Sequence, residues 1–262
     1  MQERHQDREQ YFREQSYTTA RYVIPFIQEV LTLDSGTRIL EIGCGEGGNL
    51  APFLDLGCNI VGVDMAANKI NNANIYFKDH ERVDNIEFIA ADIYDRNDLG
   101  TFDLIIMRDV LEHIYDQERF MVYVKTFLKM DSKFFLGFPP WRNPFGGHQQ
   151  ICRNRFLSRL PYFHLLPRPL YRGLLRIFGE MPVVIERLME IYDTRINIER
   201  FERILKRNDY KIDRRVFYFI NPNYDVKFGL IPRVQHRFLS AIPYFRNFFI
   251  TTNYYLISLK KD

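Results

Sequence analysis

Glycines and acids recur in this chain directly after short apolar runs. Residues 38–48 read RILEIGCGEGG, in which an apolar run gives way to glycines. Glycine lets a strand turn sharply into a helix and lets a ligand lie against the main chain. The first turn of the following helix then offers N–H groups to polar or anionic atoms. The stretch therefore predicts a ligand-binding strand–turn–helix unit.

The glycine spacing leaves two ligand classes open. Residues 43–48 read GCGEGG and fit the dinucleotide fingerprint, with Asp64 at the spacing expected for an acid that binds the ribose. Residues 41–47 read EIGCGEG and fit the pattern that binds a methionine nucleotide equally well. Because a glycine triplet alone does not choose between these ligands, the choice depends on the rest of the chain.

Length and composition exclude several classes of protein. The 262 residues are 46% hydrophobic, enough for one large domain with a substantial core. A net charge of +3 is too small to favour nucleic acid as a partner. The three cysteines have no metal-type spacing, and their small odd number suits a reducing compartment. We expect a cytoplasmic protein, because residues 1–14 do not resemble a secretory signal and no apolar run reaches the roughly 18 residues of a membrane span.

Alternating strand and helix patterns must position the candidate ligand-binding residues. Strands are expected at about 38–42, 59–63, 86–90, 102–107 and 133–138, with helices between them. This alternation predicts an α/β fold with a doubly wound, mostly parallel sheet that binds ligands at the carboxyl ends of its strands. The residues at such ends are Glu41, Asp64, Asp92, Asp109 and Pro139.

Two insertions that are rich in arginine and aromatic residues interrupt the alternation. Prolines in residues 141–193 would break a long helix, so we expect this segment to fold as a lid over the strand ends. Strands at about 211–220 and 254–260 would complete a seven-stranded sheet with an antiparallel last strand. The expected organisation is a helical cap (1–35), a Rossmann-like domain (36–140 and 194–262), a substrate lid (141–193) and a smaller insertion (221–250).

In this order of elements the chain resembles the class I S-adenosylmethionine-dependent methyltransferases. The matching segments are LEIGCGEG at 40–47, VD at 63–64, ADI at 91–93 and FDLIIMRDVLEH at 102–113. The resemblance covers about 36–140 closely and 195–260 by the order of elements only. Two features depart from it: the loop before strand five reads MDSK at 130–133, without the usual Pro-Gly-Gly, and the insertion after that strand is long.

The resemblance implies S-adenosyl-L-methionine as the cofactor. The glycine turn would contact its methionine end, Asp64 would accept both ribose hydroxyls, and Asp92 would accept the adenine amino group. The alternative is that these two acids only cap the turns that follow them. The implied cofactor-binding residues are Glu41 near the ammonium group, Gly43, Cys44, Gly45, Asp64, Met65 and Ile93 on the ring faces, Asp92, and the backbone of Arg108 at the cleft floor.

A first catalytic candidate is the run Asp109-x-x-Glu112-His113. It is similar to the acid-x-x-Glu-His run of quinone-type O-methyltransferases, whose side chains can hold a divalent cation near the acceptor oxygen. Spacings of three and four would place the side chains on one helical face. The alternative, which we prefer, is that no metal binds and that Glu112 and His113 serve as local hydrogen-bonding partners. Asp109 and His113 are then candidate catalytic residues without a metal.

A second catalytic candidate is GGHQQ at 146–150. Its two glycines predict a flexible polar loop beside the expected position of the methyl group. His148 would be the general base, and Trp141, Gln149 and Gln150 would bind the acceptor. The alternative is a loop histidine bonded to backbone, and His164 is expected to be a packed residue of the insertion.

We therefore expect transfer of a methyl group to a small or lipid-like acceptor, at an oxygen atom. The alternatives are an NAD(P)-dependent oxidoreductase, supported by the glycine spacing alone, and a non-catalytic module that binds a membrane or a partner. The basic and aromatic insertions indicate peripheral membrane contact, although a lid or a dimer contact explains them equally. The sequence names neither the acceptor nor the oligomeric state.

Overall fold

One mixed sheet organises residues 7–260, which are those that the computed structural model describes. Residues 1–6 of the expected cap and residues 261–262 of the expected Rossmann-like domain lie outside that range. Within it, eight strands pair in the order β3-β2-β1-β4-β5-β8-β6-β7. The strands are β1 (Arg38–Ile42), β2 (Asn59–Asp64), β3 (Ile86–Ala90), β4 (Phe102–Arg108), β5 (Leu128–Phe138), β6 (Tyr210–Ile220), β7 (Arg233–Val234) and β8 (Thr252–Leu259).

The directions of the strands place both insertions at one edge of the sheet. Strands β1 to β5 are parallel to one another, whereas β8 is antiparallel to both β5 and β6. Strand β6 therefore runs in the same direction as β5. Each insertion begins where one of these two strands ends, so both leave the sheet at the carboxyl edge, where ligands bind in this type of sheet.

The predicted doubly wound, mostly parallel sheet is confirmed, but the predicted count of seven strands is wrong. The additional strand, β7, has two residues and lies inside the expected second insertion, where it pairs with β6. A strand of two residues has no periodicity that a sequence pattern could show. It forms because the chain after α9 (Asn223–Phe228) returns along β6, where Gln235 N donates to Phe217 O at 2.8 Å.

The helices cover both faces of the sheet. The remaining α-helices are α1 (Arg8–Thr18), α2 (Ile24–Gln28), α3 (Ala51–Asp55), α4 (Ala67–Phe77), α5 (Gln117–Val124), α6 (Arg168–Ile177), α7 (Pro182–Thr194), α8 (Ile198–Arg207) and α10 (Arg237–Ser240). Two of them begin at capping side chains: Asp116 accepts from the N–H of Arg119 at the start of α5, and Asn197 accepts from that of Arg200 at the start of α8.

The leading helix differs from its predicted form. The sequence pattern predicts one helix over 17–33 with a kink at Pro25. Instead, a π-helical turn, Thr19–Val23, separates α1 from α2. A proline has no N–H to continue the i→i−4 ladder, and the irregular turn lies directly before it.

Alternate residues of the strands build two apolar layers. Leu40 and Ile42 of β1 pack into one layer with Phe120 of α5, and Ile39 packs into the other with Phe53 of α3. A period of two puts successive side chains on opposite faces of the sheet. Both faces are therefore covered, as in parallel sheets generally.

The segment from 141 to 193 has an apolar core of its own. Trp141, Phe163, Tyr171, Leu175 and Leu188 are buried together there. In the part of the chain that the structure describes, no helix is both long and apolar enough to cross a membrane.

Candidate active site

A cavity of about 500 Å³ opens at the carboxyl edge of the sheet. This volume lies in the range of pockets that bind a ligand of nucleotide size. Its walls come from the ends of β1, β2, β3 and β4 and from one face of α1. The predicted residues in the wall are Gly43, Cys44, Gly45, Asp64, Met65, Asp92, Ile93, Arg108, Asp109 and His113.

The glycine turn after β1 exposes main chain to this cavity. Gly43 and Gly45 have φ angles of 76° and 57°, which side chains other than glycine's rarely adopt. A Cβ on Gly43 would lie 2.5 Å from a methyl group of Val110, whereas the nearest atom to a Cβ on Gly45 is Cδ of Lys69, at 3.9 Å. Gly43 thus allows close packing, and Gly45 leaves room for a ligand.

The acids after β2 and β3 both shape local turns and face the cavity. Asp64 accepts hydrogen bonds from the N–H groups of Gly45, at 2.9 Å, and Ala66, at 2.8 Å. Asp92 accepts one from the N–H of Tyr94, at 3.0 Å. A carboxylate has about four acceptor positions, so each acid retains capacity for a ligand. Capping and ligand binding are therefore compatible roles here.

The two apolar residues predicted beside the adenine differ in exposure. Met65 is 74% exposed at the mouth of the cavity, whereas Ile93 is 6% exposed and forms part of its wall.

Glu41 lies beneath the glycine turn, outside the cavity wall. Its side chain is fully buried, and Oε1 accepts a hydrogen bond of 2.7 Å from Asn49. Oε2 has no hydrogen-bond partner among residues 7–260. Burial raises the pKa of Glu41 to about 8. A cationic group of a ligand would supply the missing partner, so Glu41 fits the ammonium group of the implied cofactor.

The sequence analysis assigned only the backbone of Arg108 to the site, but the side chain also forms hydrogen bonds there. Its buried guanidinium lines the cavity and donates to Asn49 Oδ1 at 3.0 Å and to Thr19 Oγ1 at 3.3 Å. It also donates to Asn223 of α9. Arg108 therefore joins the glycine-turn region, the leading helical segment and the second insertion.

One face of α1 covers the cavity, and the sequence analysis did not assign these residues to the site. Arg8, Tyr11 and Gln15 lie in its wall. Their spacings of three and four place them on the same side of the helix. This spacing is the sequence pattern that could have indicated a shared role for the three residues. Burial, with the neighbouring Asp109 carboxylate, raises the pKa of Tyr11 to about 12, so its hydroxyl keeps its proton.

The turn after β4 is not the helix that the Asp109–His113 spacing predicted. Asp109 has a φ of 56°, and a short 3₁₀ turn, Leu111–His113, follows. The prediction of one helical face is therefore wrong: Asp109 and His113 line the cavity, whereas the Glu112 side chain is only 3% exposed and lies behind them. Burial, with Asp109, raises the pKa of Glu112 well above its ordinary value.

The three side chains do not form a metal site in this arrangement. Among the residues with described positions, no group of three or more His, Cys, Asp or Glu side chains could hold a metal ion.

His148 lies one layer behind His113. The two rings are 5.5 Å apart between centroids, and Nε2 of His148 is 3.8 Å from Oε1 of Glu112. Burial, with the nearby His148, lowers the pKa of His113 to about 4. Burial, with His164, lowers the pKa of His148 to about 4 as well. Both imidazoles are therefore neutral at pH 7 and able to accept a proton.

The glycines before His148 serve close packing, whereas the sequence predicted flexibility from them. A Cβ on Gly146 would lie 2.3 Å from the carbonyl oxygen of Trp141, and one on Gly147 would lie 2.2 Å from Cβ of His164. His164 is fully buried, with Nε2 2.7 Å from the same carbonyl oxygen, which confirms that it is a packed residue.

The residues predicted to bind the acceptor lie mainly in the insertion core. Gln149 is fully buried and donates to the carbonyl oxygens of Pro144, at 2.9 Å, and Leu160, at 3.2 Å. Trp141 is 7% exposed and packs against His164. Gln150 is half-buried. Among the described wall residues of the cavity, none of the three predicted acceptor residues occurs.

The sheet, the glycine turn and the acids that follow it define a class I S-adenosylmethionine-dependent methyltransferase fold. The chain belongs to the methyltransferase domain family, whose model matches residues 11–158, more than half of its length. The predicted family and fold are therefore confirmed.

Similar proteins share this core with the chain. The ubiquinone biosynthesis O-methyltransferase of Bradyrhizobium sp. (strain ORS 278) is 34% identical over 96 residues, which are 36% of this chain and 37% of that protein. The mitochondrial enzyme of the same name from Bos taurus is 30% identical over 105 residues, 39% of this chain and 28% of that protein. The chain thus matches about a third of the length of these relatives.

Solved structures agree on the fold. A geranyl diphosphate C-methyltransferase from Streptomyces coelicolor A3(2) aligns with a TM-score of 0.57 at 12% identity, over 94% of this chain and 79% of that one. The magnesium protoporphyrin IX methyltransferase from Synechocystis PCC 6803 aligns with a TM-score of 0.56 at 14% identity, over 97% and 88%.

Proposed function

We propose that this protein transfers the methyl group of S-adenosylmethionine to a hydroxyl oxygen of a small, lipid-like acceptor. The observation that carries the proposal is that the wall of one cavity contains Asp64 and Asp92, at the ends of β2 and β3, and Asp109 and His113, after β4. The first pair suits an adenosine, and the second suits a reacting hydroxyl.

The chain offers a partner for each part of the cofactor. Asp64 would accept the ribose hydroxyls in charge-assisted hydrogen bonds, and Asp92 would accept the adenine amino group. Glu41 would pair with the ammonium group, since its Oε2 has no partner among the described residues. When bound, the cofactor supplies a methyl group on a positively charged sulfur, which is already activated for transfer.

The remaining task of the protein is to align the acceptor and to remove its proton. We assign the base to His113 in preference to His148, because His113 occurs among the described wall residues of the cavity and His148 does not. A neutral imidazole can accept the hydroxyl proton as the oxygen attacks. The Asp109 carboxylate, which favours the protonated ring, would then stabilise the imidazolium. The α1 face that carries Tyr11 would exclude water from the reacting atoms.

The class of acceptor rests on two observations. The curated relatives are named as O-methyltransferases of ubiquinone biosynthesis, which supports an oxygen acceptor with apolar surroundings. The two insertions at the carboxyl edge are rich in aromatic residues and arginine. We therefore propose that residues 141–193 act as the lid of the acceptor site and that this lid contacts a membrane peripherally. We also propose that the protein works in the cytoplasm.

Transfer of label from S-[methyl-³H]adenosylmethionine to a native cell extract tests this function. We expect one labelled product that partitions into organic solvent, and loss of that product with His113→Asn. His80→Asn is the matched control. His80 lies in the loop between α4 and β3, where it hydrogen-bonds to Asp55 of α3, so its substitution should not affect turnover. Cofactor binding without any labelled product would favour a non-catalytic module, and binding of NAD in place of S-adenosylmethionine would favour an oxidoreductase.

A further inference from the structure

The first insertion contains a stretch of unbalanced charge. Residues 153–178 include six arginines and neither aspartate nor glutamate, although the whole chain has a net charge of only +3. Arg168 is paired with Asp193 at 2.9 Å and Arg172 with Glu186 at 2.6 Å. The other four arginines, Arg153, Arg155, Arg159 and Arg176, are exposed. This part of the surface therefore attracts anions.

Large apolar side chains are exposed among these arginines. We call this set of apolar side chains the docking face. Its members are Phe156, Leu170, Ile177, Phe178, Met181 and Val183, with exposed fractions of 63%, 50%, 79%, 41%, 40% and 54%. The rings of Phe156 and Phe178 stack at 6.2 Å between centroids, so the loop before α6 and the end of α6 meet in this face.

The exposure of the docking face does not result from a missing core. Tyr171 and Leu175 of the same helix, α6, are fully buried in the core of the insertion. Leu170 and Ile177 lie on another side of the helix, seven residues apart, with Gly173 between them. A helix with one buried stripe and a second, exposed apolar stripe has a further surface to cover.

We propose that the docking face binds the surface of an anionic phospholipid bilayer. Exposed apolar side chains can enter the region of the upper acyl chains, while arginines beside them reach the phosphates and anionic headgroups. α6 has ten residues, so it would lie in the plane of the interface and would not cross the membrane. The arginines favour a lipid surface over a purely apolar protein partner, which would leave their charges buried and unpaired.

The docking face is connected to the candidate base. After α6 the chain continues into α7, whose last residue, Thr194, donates from Oγ1 to the carbonyl oxygen of Glu112 at 2.5 Å. Glu112 directly precedes His113 in the turn that lines the cavity. The role of this membrane binding rests on the proposed function: a lipid-like acceptor would reach His113 from the membrane on which the insertion lies.

Flotation of the full-length protein with vesicles tests the inference without any need for turnover. We expect binding to phosphatidylcholine vesicles that contain phosphatidylglycerol, weaker binding at high salt, and little binding to phosphatidylcholine alone. Arg176→Glu should reduce binding at least about fivefold, the loss expected for a single juxtamembrane charge. Ile177→Asp should reduce it at least as much.

Two matched variants control for general effects of charge. Ile75→Asp changes an exposed isoleucine of α4, and Arg207→Glu changes an exposed arginine at the end of α8. Both should bind vesicles like the parent protein. Absence of binding to anionic vesicles, or equal losses in the control variants, would overturn the inference. Vesicle binding without methyl transfer would count against the proposed function only.

Discussion

Asn49 holds one carboxyl oxygen of Glu41 at 2.7 Å, while the other oxygen lacks a hydrogen-bond partner within the described part of the chain. Burial raises the pKa of Glu41 to about 8, so the carboxyl is protonated at pH 7 when no ligand is bound. An ammonium group beside Oε2 would favour the ionised form. Ligand binding should therefore release a proton from Glu41.

The first prediction concerns Glu41→Gln. In the unfolded chain the carboxyl ionises near its ordinary value of 4.5, whereas in the folded protein it ionises near 8. Between these values the unfolded state binds fewer protons, so the contribution of Glu41 to the free energy of unfolding falls as the pH rises. We expect Glu41→Gln to raise the melting temperature at pH 8 and to leave it unchanged at pH 4.5.

The same variant should bind S-adenosylmethionine more than about tenfold more weakly, because it cannot become a carboxylate. Thermal denaturation and isothermal titration in two buffers of different ionisation enthalpy measure both effects. An unchanged affinity with unchanged proton release would exclude the ammonium contact.

The second prediction separates the two acids at the strand ends. Asp64→Asn should weaken binding of S-adenosylhomocysteine by more than about tenfold, since it removes the charge from two hydrogen bonds to the ribose. Asp92→Asn should weaken it less, because an amide oxygen can still accept from the adenine amino group. Titration calorimetry gives both affinities, and circular dichroism checks that the turns remain folded. Equal small losses in both variants would mean that the acids only cap their turns.

The third prediction concerns the pH dependence of methyl transfer. Burial lowers the pKa of His113 to about 4, so the ring stays neutral until the pH falls well below the ordinary value of 6.5. We expect kcat/KM for the acceptor, measured at saturating S-adenosylmethionine so that the ionisation of Glu41 does not contribute, to stay constant from pH 8 down to about pH 5 and to fall below it, because this ratio reports the ionisation of the enzyme before the acceptor binds. A fall centred near pH 6.5 would show that the base is not His113.

The fourth prediction distinguishes the two histidines. His113→Asn should lower kcat by about 10²–10⁴, the usual contribution of a general base. His148→Asn should lower it less, since His148 stands 5.5 Å behind the ring of His113. Single-turnover rates with the labelled product measure both. A larger loss in His148→Asn would return the role of base to that residue.

The fifth prediction tests the packing of the loop before His148. A Cβ at position 147 would lie 2.2 Å from Cβ of His164, so Gly147→Ala should destabilise the protein by about 1–3 kcal/mol. Gly173→Ala is the matched control: in the described structure no atom lies within 4 Å of its added Cβ, and alanine should stabilise α6 by about 0.5–1 kcal/mol. Urea denaturation gives both values, and a tolerant Gly147→Ala would contradict the close packing.

The turns on the proposed cofactor side of the cavity could be predicted from sequence because they are determined locally. A strand that ends in glycines, and a strand that ends in an acid, determine their own turns within a few residues. Asp64 and Gly45 illustrate this, since the carboxylate of one accepts from the N–H of the other at the point where two adjacent strands end.

The acceptor side could not be predicted because tertiary packing determines it. Asp109 adopts a φ of 56°, and the short 3₁₀ turn after it sends Glu112 and His113 to different environments. Gln149, which reads as a polar loop residue, is buried by an insertion that has its own core. No local sequence pattern specifies where that core lies relative to the sheet.

The distance between Asp64 and the ribose of bound S-adenosylhomocysteine tests the central claim most directly. In a crystal structure of the complex, both carboxylate oxygens of Asp64 should lie within hydrogen-bonding distance of the two ribose hydroxyls, with Asp92 beside the adenine amino group. A bound nucleoside whose ribose lies away from Asp64, or a crystal in which the cavity binds NAD in place of this ligand, would contradict the account.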